Sequence, residues 1–224
     1  MAQADDGERW AALETLGCKL SMTPSAEDGA AAFVSFQVAV VGAAGAGKTS
    51  LIRSASSSSA DPNLTQEDEA DGFELQKLTC SYNGLGVVME FVEVPADDRY
   101  LPLLPQLGSA AACAILVVNI ADPNCHADLS KRLAMLGTLP PCGLLVVQGS
   151  LSSSAAAAGE ERRRLEPLRE VAARWSLQLL RFESLEQLGR AKILQSVCGL
   201  VLRDVADKAD PIHLLGRRVS RVGG

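Results

Sequence analysis

The 224-residue sequence predicts an α/β fold of three layers, with helices on both faces of a mostly parallel six-stranded sheet. Short apolar runs rich in β-branched residues alternate with segments whose apolar residues recur at helical spacing, which is the pattern of such a sheet. Hydrophobic residues make up 47% of the chain, whereas aromatic residues make up only 4%. The core is therefore expected to consist mainly of aliphatic side chains.

Six apolar segments of strand length are expected to form the sheet: residues 36–41, 73–81, 87–94, 111–120, 143–147 and 177–182. The second and third are joined through Asn83-Gly84, a dipeptide that strongly favours a β-hairpin. The fourth and fifth are continuously hydrophobic, as strands covered on both faces are. Helical spacing predicts helices between the strands, after residue 49 and over residues 129–136, 160–175 and 194–205. The Ser/Ala-rich residues 150–158 are read as a flexible loop or the start of an alanine-rich helix.

The chain is expected to contain one folded domain with an extension at each end. The domain spans residues 33–206, and residues 207–224 form a basic flexible tail. In the extension of residues 1–32, apolar residues at helical spacing predict an amphipathic helix over residues 7–20, followed by a small, polar linker. This helix is expected either to dock on a membrane or a partner, or to pack back on the domain.

Composition argues against several classes of protein. The formal net charge of −6 disfavours a nucleic-acid binder. No stretch approaches the ~18 consecutive apolar residues of a membrane span. The acidic first residues, Ala2 and the cysteine-free last residues predict neither an export signal nor a lipid anchor. The six scattered cysteines are typical of a reducing compartment.

The most specific motif is a glycine-rich loop between the first strand and the helix after it. Residues 42–49 read Gly-Ala-Ala-Gly-Ala-Gly-Lys-Thr and fit the phosphate-binding pattern G-x-x-x-x-G-K-[ST]. Small residues let the backbone curl so that its N–H groups point at phosphate oxygens, beside the positive end of a helix. The residues expected to bind phosphate are Gly42, Ala43, Ala44, Gly45, Ala46, Gly47, Lys48, Thr49 and Ser50.

Two side chains of this loop have distinct expected roles. Lys48 reaches the β- and γ-phosphates of a nucleotide, and the hydroxyl of Thr49 coordinates Mg²⁺. The alternative is a glycine-rich turn that binds nothing.

The order of the predicted elements resembles that of small GTPases, here of the Rab/Ras-like family. Residues 38–53 are similar to its first strand, phosphate loop and first helix, and residues 109–123 to its fourth-strand segment. The resemblance covers roughly residues 34–206, but only the phosphate loop is specific. It implies that the protein binds GTP or GDP with Mg²⁺. It also implies a cytoplasmic switch or interaction subunit in intracellular transport, which reaches vesicles, a cilium or a flagellum through a protein effector or a complex.

The sequence departs from this family at the D-x-x-G motif, which supports Mg²⁺ and orients the attacking water. Glu93 stands at the aspartate position, Ala96 at the glycine and Asp97 at the following glutamine. Glu93 can still support Mg²⁺ through a water molecule. A carboxylate at position 97 is expected to repel the γ-phosphate. We therefore expect slow or absent hydrolysis, so that this is an atypical family member.

The base-recognition motif N-K-x-D is missing as well. Residues 147–152 stand in its place and contain no aspartate to accept hydrogen bonds from guanine. Guanine preference therefore follows from the resemblance alone. Thr65, in an acidic loop, is the candidate for the first-switch threonine.

Two alternatives to a nucleotide switch remain open. A nucleotide-free pseudo-GTPase scaffold would keep the phosphate loop for fold stability. A small phosphotransferase would use the basic run of residues 162–164 as lid arginines, although the same run also fits the solvent face of a helix.

Overall fold

Seven strands and five α-helices occur in the computed structural model, within the parts of the chain that it describes: residues 18–23, 31–56, 74–82, 85–150, 155–182 and 189–208. The strands are β1 (Cys18–Thr23), β2 (Ala31–Gly42), β3 (Glu74–Tyr82), β4 (Leu85–Glu93), β5 (Cys113–Asn119), β6 (Cys142–Gln148) and β7 (Gln178–Phe182). The α-helices are α1 (Lys48–Ser56), α2 (Leu104–Ala110), α3 (Cys125–Leu136), α4 (Ala155–Arg174) and α5 (Gly189–Lys208). A 3₁₀ helix, Asp98–Leu103, leads directly into α2.

The strands form one sheet, in which six strands lie side by side in the order β3-β4-β2-β5-β6-β7 and β1 pairs with β2 outside this order. Each neighbouring pair along this order is parallel except the β3-β4 hairpin. The α/β class with a mostly parallel six-stranded sheet is therefore confirmed. The hairpin is confirmed too, although its turn at residues 83–84 lies outside the described residues.

The seventh strand, β1, pairs antiparallel with the first half of β2, from Cys18 opposite Phe36 to Thr23 opposite Ala31. β4 covers the other edge of β2, and β5 pairs with β2 only from Val38 onward. β1 and β5 therefore share one edge of this 12-residue strand. β1 supplies backbone hydrogen-bond partners where β5 does not reach, and so removes an open strand edge.

The sequence-based description of the N-terminal region needs correction. The expected helix over residues 7–20 is wrong for residues 18–20, which lie in β1, and residues 21–23 of the expected linker are strand as well. β2 begins at Ala31, inside the expected extension, and α5 continues to Lys208, into the expected tail. Pairing along the free edge of β2 outweighs the helical spacing of the apolar residues, as tertiary context often does. Residues 7–17 and 209–224 lie outside the described residues.

Helices cover both faces of the sheet, and the strands alternate their side chains between two cores. In β5, Ile115 and Val117 face the core that contains α1 and α5, whereas Leu116 and Val118 face the core that contains α2, α3 and α4. This alternation explains the continuous hydrophobic runs in the sequence, because both faces of the strands are buried. None of the helices in the described residues is long and apolar enough to cross a membrane.

Five parallel strands end at the same edge of the sheet. Four of them, β2, β4, β5 and β6, end at Gly42, Glu93, Asn119 and Gln148. In open α/β sheets, ligands bind in the crevice at this edge. Helix α1 begins here, at Lys48, so the glycine-rich loop lies where the sequence predicts a binding site.

Candidate phosphate-binding site

The loop between β2 and α1 is curled by two glycines in the left-handed region of backbone conformation. Gly45 has a φ of 68° and Gly47 a φ of 88°. Residues with a side chain rarely adopt these values. The N–H of Ala46 donates to the carbonyl of Ala43 at 3.2 Å, which closes the turn. Three residues expected to bind phosphate are exposed: Ala44 and Gly45 in the loop and Ser50 in α1.

Lys48 is the first residue of α1, and its side chain is held at the loop. Its Nζ donates to the carbonyl oxygens of Gly42 at 3.0 Å and Ala43 at 3.2 Å. It also lies 3.9 Å from Oε1 of Glu93. Only 6% of Lys48 is exposed. A buried ammonium needs such partners, because removing a charge from water without compensation is unfavourable.

Thr49 and Glu93 form the expected metal-binding part of the site. Thr49 Oγ1 donates to Glu93 Oε1 at 2.8 Å, and Glu93 is buried at the end of β4. Mg²⁺ prefers such oxygen ligands and usually takes only one or two from protein, with phosphates and water completing its octahedron. The two side chains therefore fit Mg²⁺ bound together with a phosphate. Among the described residues, no cluster of three or more His, Cys, Asp or Glu is suited to a metal on its own.

Gln148 is a residue of the site that the motif did not reveal. It ends β6, is buried, and its Nε2 donates to the carbonyl of Ala46 inside the loop. A Cβ at Gly47 would collide with the same amide group. The positive φ of Gly47 favours glycine at this position, and an added Cβ would also displace the amide of Gln148. The sequence did contain a signal for Gln148. It is the first polar residue after the apolar residues 143–147, at the position where an N-K-x-D motif would begin.

The segment after β4 is arranged differently from the sequence-based expectation. The carboxylate of Asp97 accepts from the backbone N–H of Arg99 at 3.0 Å and pairs with the guanidinium of the same residue at 3.1 Å. Asp97 is exposed and caps the 3₁₀ helix. Its carboxylate is therefore directed at its own turn, and the repulsion of a γ-phosphate by Asp97 stays a prediction.

Helix α3 holds this segment through two neighbouring cations. Arg132 Nη2 donates to the carbonyl of Ala96 at 3.1 Å. Lys131 Nζ donates to Asp98 Oδ2 at 2.6 Å, and this hydrogen bond lowers the pKa of the exposed Asp98 carboxyl below its ordinary value. Arg132 was also missed from the sequence. The sequence signal for Arg132 was a charged residue on the helix face formed by Leu129, Leu133 and Leu136.

The loop expected to recognise a base contains no aspartate, since none occurs between residues 148 and 159. Gly149 has a φ of 86° and lies against the side chain of Asn119. Arg181 Nη1 donates to the carbonyl of Gly149 at 2.8 Å, and its Nη2 pairs with Glu161. The loop is therefore held by Arg181 of β7. It has no aspartate that could accept hydrogen bonds from guanine as the N-K-x-D aspartate does.

The three arginines at residues 162–164 do not join this site. Arg162 and Arg163 are exposed on α4. Arg164 Nη1 donates to the carbonyls of Ile120 and Ala121, each at 3.1 Å, and so ties α4 to the loop after β5. Thr65 lies outside the described residues.

Comparison with known proteins supports the fold and does not identify a family. No family model and no curated protein sequence matches the chain. Among solved structures, the bacterial selenocysteine-specific elongation factor EF-Sec is similar, with a TM-score of 0.53 and 16% sequence identity. The match covers 75% of this chain but only 29% of that chain.

The likeness confirms the predicted fold class, an α/β fold with a mostly parallel sheet. At 16% identity it shows the fold alone. The architecture is also widespread, because 1136 solved chains match, and such folds carry many different functions. The fold alone therefore assigns no function to this chain.

Proposed function

We propose that this protein is an atypical, Rab/Ras-like small GTPase-like protein that binds GTP or GDP with Mg²⁺. The observation that carries the proposal is the joint placement of Lys48, Thr49 and Glu93 at the carboxyl edge of the sheet, beside the curled loop. The loop backbone and Lys48 would hold the phosphates, while Thr49 and Glu93 would hold Mg²⁺ directly or through water. The bound ion would supply charge neutralisation between the phosphates.

We further propose that hydrolysis is slow or absent. Position 97 lacks the glutamine that orients water, and the Asp97 side chain is engaged in capping a 3₁₀ helix. The protein would then act as a long-lived switch or an interaction subunit. Its proposed setting is cytoplasmic, in vesicular or flagellar transport, with a protein effector or complex as partner. This setting is supported by the family resemblance only.

Nucleotide content of the purified protein tests the proposal. Mass spectrometry of the released nucleotide should find GTP or GDP in the wild type and none in Lys48→Ala. Lys77→Ala is a matched control, because Lys77 is exposed on β3 and makes only a surface ion pair with Glu90. Retention that is equal in the wild type and Lys48→Ala would remove Lys48 as a phosphate ligand.

A nucleotide-free scaffold is the second candidate, and one observation favours it. Lys48 and Gln148 both bind loop carbonyls, so the loop is stabilised by the protein's own side chains. Absence of bound nucleotide, together with no rise in Tm on addition of Mg²⁺ with GTP or ATP, would establish this candidate and overturn the switch.

A further inference from the structure

Two cysteine side chains meet between β3 and α5, although 118 residues separate them in the chain. The Sγ atoms of Cys80 and Cys198 lie 4.0 Å apart, and neither residue forms a disulfide. Cys80 lies opposite Val87 of β4, and Val87 lies opposite Val34, near the start of β2. Gly42 ends the same strand. At about 3.3 Å per residue, the two thiols are therefore on the order of 25 Å from the phosphate loop.

A glycine on α5 lets the helix pack closely against β3 at this point. A Cβ added to Gly199, the residue after Cys198, would lie 3.4 Å from the hydroxyl of Tyr82. Tyr82 follows Cys80 by two residues and so lies on the same face of β3. An S–S bond is about 2.05 Å long, so the two sulfurs need to approach by roughly 2 Å. Rotation of the cysteine side chains between staggered positions moves a sulfur atom this far.

The two thiols differ in their access to solvent. Cys198 belongs to the buried core, whereas Cys80 packs at its border and is half-buried. The hydrogen bond shared with Cys80, together with burial, raises the pKa of Cys198. Cys198 therefore keeps its proton and donates it to the sulfur of Cys80. Since the thiolate is the reactive form of cysteine, Cys80 is the sulfur that an oxidant attacks.

A second pair of cysteines provides a comparison within the same core. Cys113 and Cys142 lie opposite each other in β5 and β6, and both are buried. Burial and the neighbouring Cys142 raise the pKa of the Cys113 thiol. Buried thiols of this kind behave as small apolar residues and are inert. Both pairs are close in space, but Cys80 gives the first pair a sulfur that solvent reaches.

We propose that Cys80 and Cys198 are a site of reversible oxidation, at which hydrogen peroxide forms a disulfide between β3 and α5. The thiolate of Cys80 attacks one peroxide oxygen and the O–O bond breaks, which leaves a sulfenic acid on Cys80 and hydroxide. The hydroxide takes up the proton that Cys80 released and becomes water. The thiol of Cys198 then attacks the sulfenic sulfur. The S–S bond forms, the S–O bond breaks, and the hydroxyl leaves as water with the proton of Cys198.

The reaction is balanced, because the two thiols lose two electrons and two protons while one peroxide becomes two water molecules. The scattered cysteines of the sequence predict a reducing compartment. A disulfide in such a compartment is transient and typical of redox sensing. The proposal does not depend on nucleotide binding.

Peptide mapping of the full chain tests the proposal. The reduced protein is treated with hydrogen peroxide, its remaining thiols are blocked with N-ethylmaleimide in guanidinium chloride, and it is digested with trypsin without reduction. Trypsin places Cys80 in the peptide of residues 78–99 and Cys198 in the peptide of residues 193–203. We expect mass spectrometry to find these two peptides linked, two hydrogens lighter than their sum. Dithiothreitol should separate them again.

Cys80→Ala and Cys198→Ala should each abolish the linked peptide, whereas Cys125→Ala should retain it. Cys125 is a matched control because it is buried in the core on the other face of the sheet. The disulfide closes a long loop, so oxidation should raise the Tm of the wild type by at least about 4 °C. Oxidised Cys198→Ala should show no such rise.

The map of the wild type decides by itself if a variant does not fold. Absence of the linked peptide after oxidation would overturn the proposal. So would a sulfinic acid on Cys80 with Cys198 still blocked by N-ethylmaleimide, because the two sulfurs then do not react with each other. Linkage of Cys113 to Cys142 in place of the expected pair would also contradict it, since exposure of Cys80 would not be what selects the site.

Discussion

The hydroxyl of Thr49 lies 2.8 Å from Oε1 of Glu93, although 44 residues separate them in the chain. The contact follows from the sheet. β4 lies parallel to β2, with Glu93 opposite Val40, and Thr49 is the second residue of α1, the helix that follows β2 and its loop. Strand order thus brings two oxygen ligands to one point, which local sequence patterns do not specify.

Replacing Glu93 by glutamine tests this relationship. The change keeps the size of the side chain but removes the charge beside Lys48 and weakens the hydrogen bond from Thr49. We expect the free energy of unfolding to fall by about 1–3 kcal/mol, because a buried charge-assisted interaction is lost. If Mg²⁺ is bound here, chelation of Mg²⁺ should accelerate nucleotide release much less in Glu93→Gln than in the wild type.

Glu90→Gln is the control for this substitution, because Glu90 lies on the same strand but at the surface. It should behave like the wild type in urea denaturation and in the chelation experiment. A Glu93→Gln protein with unchanged stability and unchanged response to chelation would contradict the assigned contact.

Gln148 is expected to hold the loop from the opposite side. Gln148→Ala would leave the buried carbonyl of Ala46 without its side-chain donor, so the free energy of unfolding should fall by about 1–3 kcal/mol. Gln178→Ala, at an exposed position on β7, should change it by less than about 0.5 kcal/mol. Urea denaturation midpoints measure both. A similar midpoint shift in the two variants would show that Gln148 does not stabilise the loop.

Much of the fold was readable from the sequence because its signals are local. The buried runs of β5 and β6, the Asn83-Gly84 hairpin signal and the glycine-rich loop each depend on a few adjacent residues. β1 was missed because its reason is not local. It forms along an edge of β2 that is open only because β5 begins pairing at Val38.

The same distinction applies to the candidate site. The loop and Lys48 belong to one contiguous motif, and Glu93 was found by aligning a second motif. Gln148 and Arg132 act across the fold, on the carbonyls of Ala46 and Ala96. Their partners are backbone atoms, which leave no residue-type signature in the sequence. Only a three-dimensional structure places them.

The ion pair between Asp98 and Lys131 predicts a response to acid. Lys131 lowers the pKa of Asp98 from its ordinary value of 3.8. A carboxyl group with a lowered pKa in the folded state stabilises the protein above its ordinary pKa. This contribution is lost as the pH falls from about 3.8 through the lowered value.

Lys131→Ala should therefore raise the pKa of Asp98 toward its ordinary value in a ¹³C NMR titration of the carboxyl groups. Lys192→Ala, at an exposed position, is the control. An unchanged pKa in Lys131→Ala would mean that the pair does not form in solution.

A pair of glycine-to-alanine substitutions tests whether the loop needs its observed conformation. Gly47 has a φ of 88°, and a Cβ there would collide with the side chain of Gln148. Gly47→Ala should lower the free energy of unfolding by about 1–3 kcal/mol, because alanine is strained in this backbone conformation. Gly159 lies exposed in α4 with nothing within 4 Å of an added Cβ, so Gly159→Ala should stabilise the protein by up to about 1 kcal/mol. The two substitutions should therefore change the stability of the protein in opposite directions. Thermal denaturation and urea denaturation should both show this difference. If Gly47→Ala were stabilising as well, the left-handed turn and its contact with Gln148 would not be the structure of the loop in solution.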